Sequence, residues 1–351
     1  MAVFTDVSTA QAQALVSRLQ LGNLLSLRGI KAGIENTNYF LDTDRGEFVL
    51  TVFERLSFAQ LPFYLQLMKH LAARGLAVPD PQADAEGEIL FELQGKPCAL
   101  VNKLRGGHQL APDLFHCEQV GAELARMHLA GQDFPLQQPN LRGLAWWTET
   151  VPVLLPHLDA ARAELLQSEL AYQQQLAASA GYAELPRGPI HADLFRDNVM
   201  FEPVPPELSP GDSPPEGVPS TRERPVVDLG LPGRERLSGF FDFYFAGVDT
   251  WLFDLAVCLN DWCIDLASGR LDEARAQAFV QAYEGVRPLS GTEHRLLPAL
   301  LRAAALRFWV SRLWDVHLPR DATLLTPHDP GHFERVLRER IQNPWHAMPE
   351  N

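Results

Sequence analysis

Three oxygen-bearing side chains in the sequence have types and spacing suited to phosphoryl transfer. Asp193 and Asn198 lie five residues apart in the run Pro189-Ile-His-Ala-Asp-Leu-Phe-Arg-Asp-Asn198, and Asp242 follows a later apolar stretch. Phosphoryl transfer needs little covalent chemistry, so a protein mainly has to position the acceptor alcohol and hold Mg²⁺. We predict that Asp193 accepts the proton of an alcohol, and that Asn198 and Asp242 bind Mg²⁺ through oxygen atoms.

Three further polar residues are predicted to support this loop or the core. His191 precedes the aspartate by two positions and can brace the loop through hydrogen bonds. Asp254 lies near the first turn of a predicted helix, where a carboxylate suits exposed amides and can also brace the loop. His128, on a predicted amphipathic helix, is interpreted as a core histidine.

The motif order is typical of kinase-like folds, and the chain length predicts two lobes. A chain of 351 residues exceeds one typical core. We expect an α+β, bilobal protein-kinase-like fold with a small β-rich N-lobe at residues 1–102 that covers a nucleotide. A larger, mostly helical C-lobe at 103–351 should carry catalysis and substrate binding. Residues 202–238, rich in proline, glycine and charge, predict a flexible insertion between the two metal-ligand strands, with a functional lid as the alternative.

Composition narrows the class of partner and the compartment. The formal net charge of −14 argues against nucleic acid or an anionic membrane as the main partner, so we expect a small molecule. The four cysteines form no C-x-x-C pair, which favours a reducing compartment. The N-terminus lacks a secretory pattern, and no apolar run reaches the roughly eighteen residues of a membrane span. We therefore expect a soluble, cytoplasmic protein.

Two segments of the N-lobe are candidates for binding ATP. Gly33 permits close approach of the backbone to a phosphate, and Asn36 and Asn38 supply donors nearby. The segment 101–107 is the predicted hinge, whose backbone groups can read an adenine edge. Val101 and Lys103 are its candidate nucleotide-binding residues.

The expected phosphate-binding lysine is missing. Kinase-like N-lobes place a lysine or arginine on a strand and a glutamate on the next helix. Here the strand offers Thr51, and the helical stretch 57–75 contains no acid. Because both partners are absent together, no buried charge is left uncompensated, and we predict a rewired phosphate clamp. Lys31, Arg55 and Lys69 are the candidate substitutes, with Lys31 preferred.

Taken together, the motifs resemble the aminoglycoside phosphotransferase and choline kinase superfamily. Longer runs resemble its bacterial homoserine kinases, and they span nearly the whole chain apart from the insertion. These runs are residues 33–40, 47–54, 191–198, 251–256 with 260–262, and 307–313. The resemblance implies ATP, Mg²⁺ and phosphorylation of the L-homoserine hydroxyl to O-phospho-L-homoserine in threonine biosynthesis.

The chemistry of homoserine sets what its pocket must contain. Its alcohol requires a base, its ammonium an acidic side chain, and its carboxylate an arginine. Asp261 or Asp197 could meet the ammonium, and Arg196, Arg307 or Arg312 the carboxylate. Arg196, three residues after the predicted base, could equally reach the γ-phosphate.

Two other functions fit parts of the pattern. The same chemistry could act on another small alcohol, such as an aminoglycoside, choline or methylthioribose. A non-catalytic nucleotide-binding module would explain Thr51 and the missing helix acid, although Asp193, Asn198 and Asp242 argue against it.

Overall fold

The computed structural model describes residues 5–30, 36–204, 235–318 and 328–348. The N-terminal part contains a five-stranded antiparallel sheet with the strand order β1-β2-β3-β5-β4. Its strands are β1 (Leu24–Gly29), β2 (Asn36–Thr43), β3 (Gly46–Phe53), β4 (Phe91–Leu93) and β5 (Lys96–Asn102). Helix α1 (Thr9–Arg18) precedes the sheet, and α2 (Pro62–Ala73) connects β3 to β4.

The two faces of this sheet pack into different cores. Side chains alternate between faces along a strand, so neighbours on β3 point in opposite directions. Leu50 and Val52 join a small core with the buried face of α1. Phe53 points the other way and joins the larger core of the molecule. Thr51, between them, shares the face of Phe53 and is therefore directed toward the rest of the chain.

The remainder of the chain is mostly helical. Its helices are α3 (Leu114–Ala130), α4 (Leu144–Leu154), α5 (Ala160–Ala177), α6 (Ala180–Ala183), α7 (Trp251–Trp262), α8 (Glu273–Glu284), α9 (Gly291–His317) and α10 (Gly331–Gln342). Helix α7 is buried along almost its whole length, and Trp262 at its end is fully buried, as is Trp309 of α9. These apolar helices form the rigid base on which the polar loop at 191–198 lies.

Two short two-stranded sheets position that loop. Strand β6 (Arg187–Ile190) pairs with β9 (Gly247–Thr250), and β7 (Val199–Pro203) pairs with β8 (Glu235–Phe240), both antiparallel. The loop therefore runs from the end of β6 in one sheet to the start of β7 in the other. Of the predicted insertion, the part at 205–234 lies outside the described residues.

The α+β fold with a β-rich N-lobe and a helical C-lobe is confirmed. The longest described helix, α9, begins at Gly291, because Ser290 caps its first turn and Glu293 completes the capping box. The division at residue 102 stays a prediction, and the sheet ends at Asn102. In the described part of the chain, no helix is both long enough and apolar enough to span a membrane.

Candidate active site

A buried carboxylate holds the start of the polar loop in place. Asp254, on the first turn of α7, accepts hydrogen bonds from the backbone N–H groups of His191 at 2.8 Å and Ala192 at 2.7 Å. Ala192 has a φ of 64°, in the left-handed region that is unfavourable for residues with a β-carbon. The two bonds to Asp254 stabilise this strained turn, which aims the next residue, Asp193, into the cleft.

A chain of buried polar side chains supports Asp254 from behind. His128 Nε2 lies 3.1 Å from the Asp254 carboxylate, and its Nδ1 lies 2.7 Å from the Tyr283 hydroxyl. Arg287 contacts the same hydroxyl and pairs with Glu293 at 2.6 Å. Burial lowers the pKa of His128, so the ring is neutral and donates its single N–H to Asp254. His128 is thus a buried core histidine, as predicted. Its partner Asp254 accepts the hydrogen bonds from the catalytic loop.

Loss of the Asp254 charge should destabilise the fold strongly. Burial alone would raise the pKa of Asp254, but the hydrogen bond from His128, the nearby histidines and the His191 amide hold it below its ordinary value. In Asp254→Asn, the side-chain N–H₂ group would face backbone N–H groups that now donate to the carboxylate. We therefore expect the free energy of unfolding to fall by about 3–5 kcal/mol. Urea unfolding measures this change. Asp133→Asn, which breaks an exposed pair with Arg74, should cost under about 1 kcal/mol.

His191 connects the loop to the strand that carries the second aspartate. Its Nδ1 accepts a hydrogen bond from the Asp193 backbone N–H at 3.3 Å, which leaves Nε2 to donate to the Phe241 carbonyl at 2.9 Å. The ring is fully buried. His191 therefore bridges the two segments that bring Asp193 and Asp242 together.

Asn198 and Asp242 lie side by side at the ends of β7 and β8. The backbone N–H of Phe241 donates to the Asn198 carbonyl at 3.0 Å, which sets the register of the two strands. The Asn198 side-chain N–H₂ donates to the Asp193 carbonyl at 2.8 Å, so the amide oxygen faces the other way. Asp242 has a φ of 68°, a left-handed conformation that aspartate adopts more readily than most residues.

This pair fits a magnesium ion carried by a nucleotide. An amide oxygen and a carboxylate are hard oxygen ligands, and Mg²⁺ takes the rest of its coordination from phosphates and water. The described residues contain no group of three or more His, Cys, Asp or Glu side chains that could hold a metal alone. Asn198 and Asp242 would therefore hold Mg²⁺ with the nucleotide, and the ion would neutralise charge on the transferred phosphoryl group.

Asp193 is only partly exposed and holds its proton unusually tightly. Burial raises its pKa to about 8, the charges of Asp242, Asp197 and Asp261 act in the same direction, and Arg307 opposes them. Without a metal or nucleotide, burial and the neighbouring acids favour the neutral form of Asp193 up to about pH 8. Incoming positive charge from Mg²⁺ would favour ionisation.

The raised pKa predicts a pH-dependent cost to stability. Between the ordinary pKa of 3.8 and about 8, the native carboxyl keeps a proton that the unfolded chain releases, so stability falls as pH rises. An asparagine side chain does not titrate, and Asp193→Asn should therefore stabilise the nucleotide-free protein by about 1–4 kcal/mol at pH 8 and by progressively less toward pH 4. Urea unfolding across this pH range measures the effect. An equal difference at every pH would contradict the assignment.

Arg307, on α9, is a buried cation close to Asp193. Its side chain is 3% exposed, and neither Nε nor Nη2 has a hydrogen-bond partner. The guanidinium lies 3.8 Å from the ring centroid of Phe308 and 4.9 Å from that of Phe245. Burial lowers the pKa of Arg307 to about 10, and the charge of Asp193 partly offsets this. Buried polar atoms are nearly always satisfied in proteins, so these two donors are available to an anionic group that binds beside Asp193.

Arg196 and Asp261 pair with each other rather than standing apart in the pocket. Arg196 donates from its backbone N–H at 2.8 Å, from Nε at 3.0 Å and from Nη2 at 3.2 Å to the Asp261 carboxylate. Both side chains are largely buried. The pair ties the loop to the end of α7, so each residue has less freedom to meet a substrate than the sequence alone predicts.

Arg312 and His332 lie farther along the same wall. Arg312 Nη1 donates to the Asp329 carbonyl at 3.1 Å, and its guanidinium lies over Phe333. Burial and the neighbouring cations lower the pKa of His332 to about 4, so the ring is neutral. His332 was missed by sequence reasoning, since the charged groups that act on it include Arg312, Asp261 and Arg196, which lie on other elements.

The nucleotide-binding candidates are only partly within the described residues. Lys31 and Gly33 lie outside them. Asn36 and Asn38 are on β2, and Val101 is on β5. Lys103 Nζ pairs with Glu47 at 2.8 Å and is therefore held at the edge of the sheet.

Two proposed substitutes for the strand lysine are poorly placed for that role. Lys69 donates to Asp80 at 2.9 Å and to the Pro81 carbonyl at 3.0 Å. Arg55 is exposed beyond the end of β3. Tyr244, which sequence reasoning did not single out, packs on this face instead: its ring lies edge-on to that of Phe53, and Thr51 is close enough to its hydroxyl to influence the pKa of Tyr244.

Comparisons with known proteins agree with this geometry. The phosphotransferase enzyme family matches residues 26–209 and 227–289. A homoserine kinase of Polaromonas naphthalenivorans is 60% identical over 345 residues, covering 98% of this chain and 99% of the relative. A homoserine kinase of Paraburkholderia xenovorans is 55% identical over 341 residues, covering 97% of this chain and 96% of the relative.

A solved structure extends the likeness to the whole fold. An amicoumacin kinase in complex with AMP-PNP, Ca²⁺ and Ami aligns with a TM-score of 0.64 at 15% identity, covering 95% of this chain and 94% of that one. At such low identity the likeness shows the fold alone. With a matching family across most of the chain and near full-length relatives above 50% identity, the chain belongs to the phosphotransferase enzyme family and, within it, to the homoserine kinases.

Proposed function

We propose that this chain transfers the γ-phosphoryl group of ATP to the side-chain hydroxyl of L-homoserine, giving O-phospho-L-homoserine for threonine biosynthesis. Asp193 accepts the hydroxyl proton as the oxygen attacks, and Asn198 and Asp242 hold Mg²⁺ on the nucleotide. Residues 1–102 cover the nucleotide, and residues 103–351 supply the base, the metal ligands and the substrate pocket. The reaction takes place in the cytoplasm.

The observation that carries the substrate assignment is Arg307. A buried guanidinium with two unpaired donors beside the catalytic aspartate suits a carboxylate, which it can bind through two parallel hydrogen bonds. The rings of Phe245 and Phe308 pack against the guanidinium of Arg307. Homoserine places a carboxylate on the same short carbon chain as its hydroxyl, so one molecule can reach both Arg307 and Asp193.

The same wall argues against the main alternatives. Arg307 and Arg312 contribute positive charge, and Arg196 neutralises Asp261, whereas a pocket for choline or a polycationic aminoglycoside should be strongly acidic. Asp261 and Asp197 remain the candidates for the homoserine ammonium. Of these, Asp261 is held in place by Arg196, and Asp197 is exposed. The ion pair of Arg196 and Asp261 thereby gives the pocket a fixed carboxylate next to a fixed guanidinium.

A panel of acceptors tests the function. Purified protein with ATP and Mg²⁺ should consume ATP in a homoserine-dependent manner, at a kcat/KM at least tenfold above those for serine, choline, methylthioribose and an aminoglycoside. A higher value for any carboxylate-free alcohol would refute the substrate assignment. Omission of Mg²⁺ with a chelator present should abolish transfer to every acceptor.

A further inference from the structure

A neutral polar pair occupies the inner face of the five-stranded sheet. Asn38 and Thr51 lie directly opposite each other on β2 and β3, and Thr51 Oγ1 donates to Asn38 Oδ1 at 2.8 Å. Phe53 and Ala99, which share this face, pack into the larger core. The pair is therefore directed toward the catalytic loop, at the strand position where kinase-like folds usually carry a phosphate-binding lysine.

Tyr244 joins this pair to the metal-binding segment. It follows Asp242 by two residues, and its hydroxyl lies close enough to Thr51 for that residue to influence the pKa of Tyr244. Its ring packs edge-on against Phe53 with centroids 5.2 Å apart, and against Tyr64 with centroids 6.0 Å apart. The contact connects β3 of the sheet with the segment that presents Asp242.

The direction of the hydrogen bonds follows from the available protons. Thr51 has one hydroxyl proton and gives it to Asn38, so a bond between the Thr51 and Tyr244 hydroxyls would have to be donated by Tyr244. The Asn38 side-chain oxygen accepts the bond from Thr51, so its N–H₂ group has a fixed orientation at the end of this series of hydrogen bonds. All three groups donate in one direction, and such chains polarise each successive donor.

Cations near this face are engaged elsewhere. Lys96 pairs with Glu54, which also accepts bonds from two threonine hydroxyls, and Lys69 pairs with Asp80. Within the described ranges, these contacts keep both lysines away from the position of Thr51. Among the residues that the structure describes, the polar groups at this point of the inner face are the neutral side chains of Asn38 and Thr51.

We propose that Asn38, Thr51 and Tyr244 form a neutral relay that positions the nucleotide phosphates in place of a strand lysine. The inference rests on the proposed function in taking the nucleotide to be Mg-ATP. The Asn38 amide donates to a phosphate oxygen. Thr51 and Tyr244 are positioning residues, because they fix the orientation of that amide and tie it to the segment carrying Asp242.

Binding of MgADP without an acceptor alcohol, measured by calorimetry, tests the relay apart from catalysis. Tyr244→Phe and Thr51→Val each remove one hydroxyl with little change of shape, and each should weaken binding by about 2- to 12-fold. Either change breaks the same series of hydrogen bonds. The double variant should therefore bind no more weakly than the single variant with the lower affinity. Tyr64→Phe is the matched control, because the side chain that influences its hydroxyl is Gln138 and not Thr51, and it should bind like the wild type.

The outcomes separate the relay from the proposed function. Unchanged binding in both single variants, or multiplied losses in the double variant, would overturn the relay and leave the function standing. Tighter binding in Thr51→Lys would also overturn it, since the site would then be a vacated lysine position. A wild-type protein that bound no MgADP would overturn the proposed function and the relay together.

Discussion

Replacing Asp193 with asparagine is expected to lower kcat for homoserine phosphorylation by about 10²- to 10⁴-fold, the usual contribution of a positioned general base. The amide has nearly the same shape but cannot accept the hydroxyl proton. Asp254 fixes the strained turn before this residue, and Asn198 bonds to its backbone carbonyl, so the loop should keep its conformation. Steady-state rates at saturating ATP and homoserine measure the effect.

Binding of the nucleotide provides the control for that experiment. The dissociation constant of MgADP should change less than about threefold in Asp193→Asn, because the metal ligands Asn198 and Asp242 are untouched. Asp133→Asn, far from the loop on an exposed ion pair, should keep the wild-type rate. A full rate in Asp193→Asn would mean that another group takes the proton.

Replacing Arg307 with methionine is expected to reduce kcat/KM for homoserine by roughly 30- to 4,000-fold. Truncating one partner of a buried charge pair typically costs about 2–5 kcal/mol, and each 1.4 kcal/mol is about tenfold. The loss should fall mainly on the KM for homoserine, while the KM for ATP stays within a small factor. The variant should be at least as stable as the wild type without substrate, since it removes a buried charge whose Nε and Nη2 have no hydrogen-bond partner.

A shortened substrate and a second arginine make this test specific. 3-Aminopropan-1-ol has the hydroxyl and ammonium of homoserine without its carboxylate. The wild type should strongly prefer homoserine, and Arg307→Met should lose most of that preference. Arg302, on the same helix over the Tyr172 ring, pairs with the buried Glu169. Arg302→Met should therefore lower stability and leave the preference unchanged. A preference that survived in Arg307→Met would assign the carboxylate to another residue.

The parts of the site predicted from sequence are those set by local spacing. Asp193 and Asn198 belong to one short loop, and the alternating pattern of β3 placed Thr51 where a phosphate-binding lysine was expected. A strand, a tight loop and a following strand leave few arrangements for such residues. The relation of Asp242 to Asn198 was predictable for the same reason, since the two strands form a hairpin around the insertion.

The parts that could not be predicted depend on contacts between distant segments. Arg196 and Asp261 were both sequence candidates for substrate binding, but they are 65 residues apart and neutralise each other once α7 packs beneath the loop. Tyr244 reaches Thr51 only when the sheet lies over the metal-binding segment. The type of a side chain indicates what it can bind, whereas its actual partner is decided by tertiary packing.

The most direct measurement of the central claim is ³¹P nuclear magnetic resonance of the reaction of this protein with ATP, Mg²⁺ and L-homoserine. We predict a new phosphomonoester signal, coupled to the protons of the terminal carbon of homoserine, that grows as ADP forms and is absent with Asp193→Asn. ADP formed together with free phosphate alone, or a phosphate ester that forms equally fast with Asp193→Asn, would contradict the account.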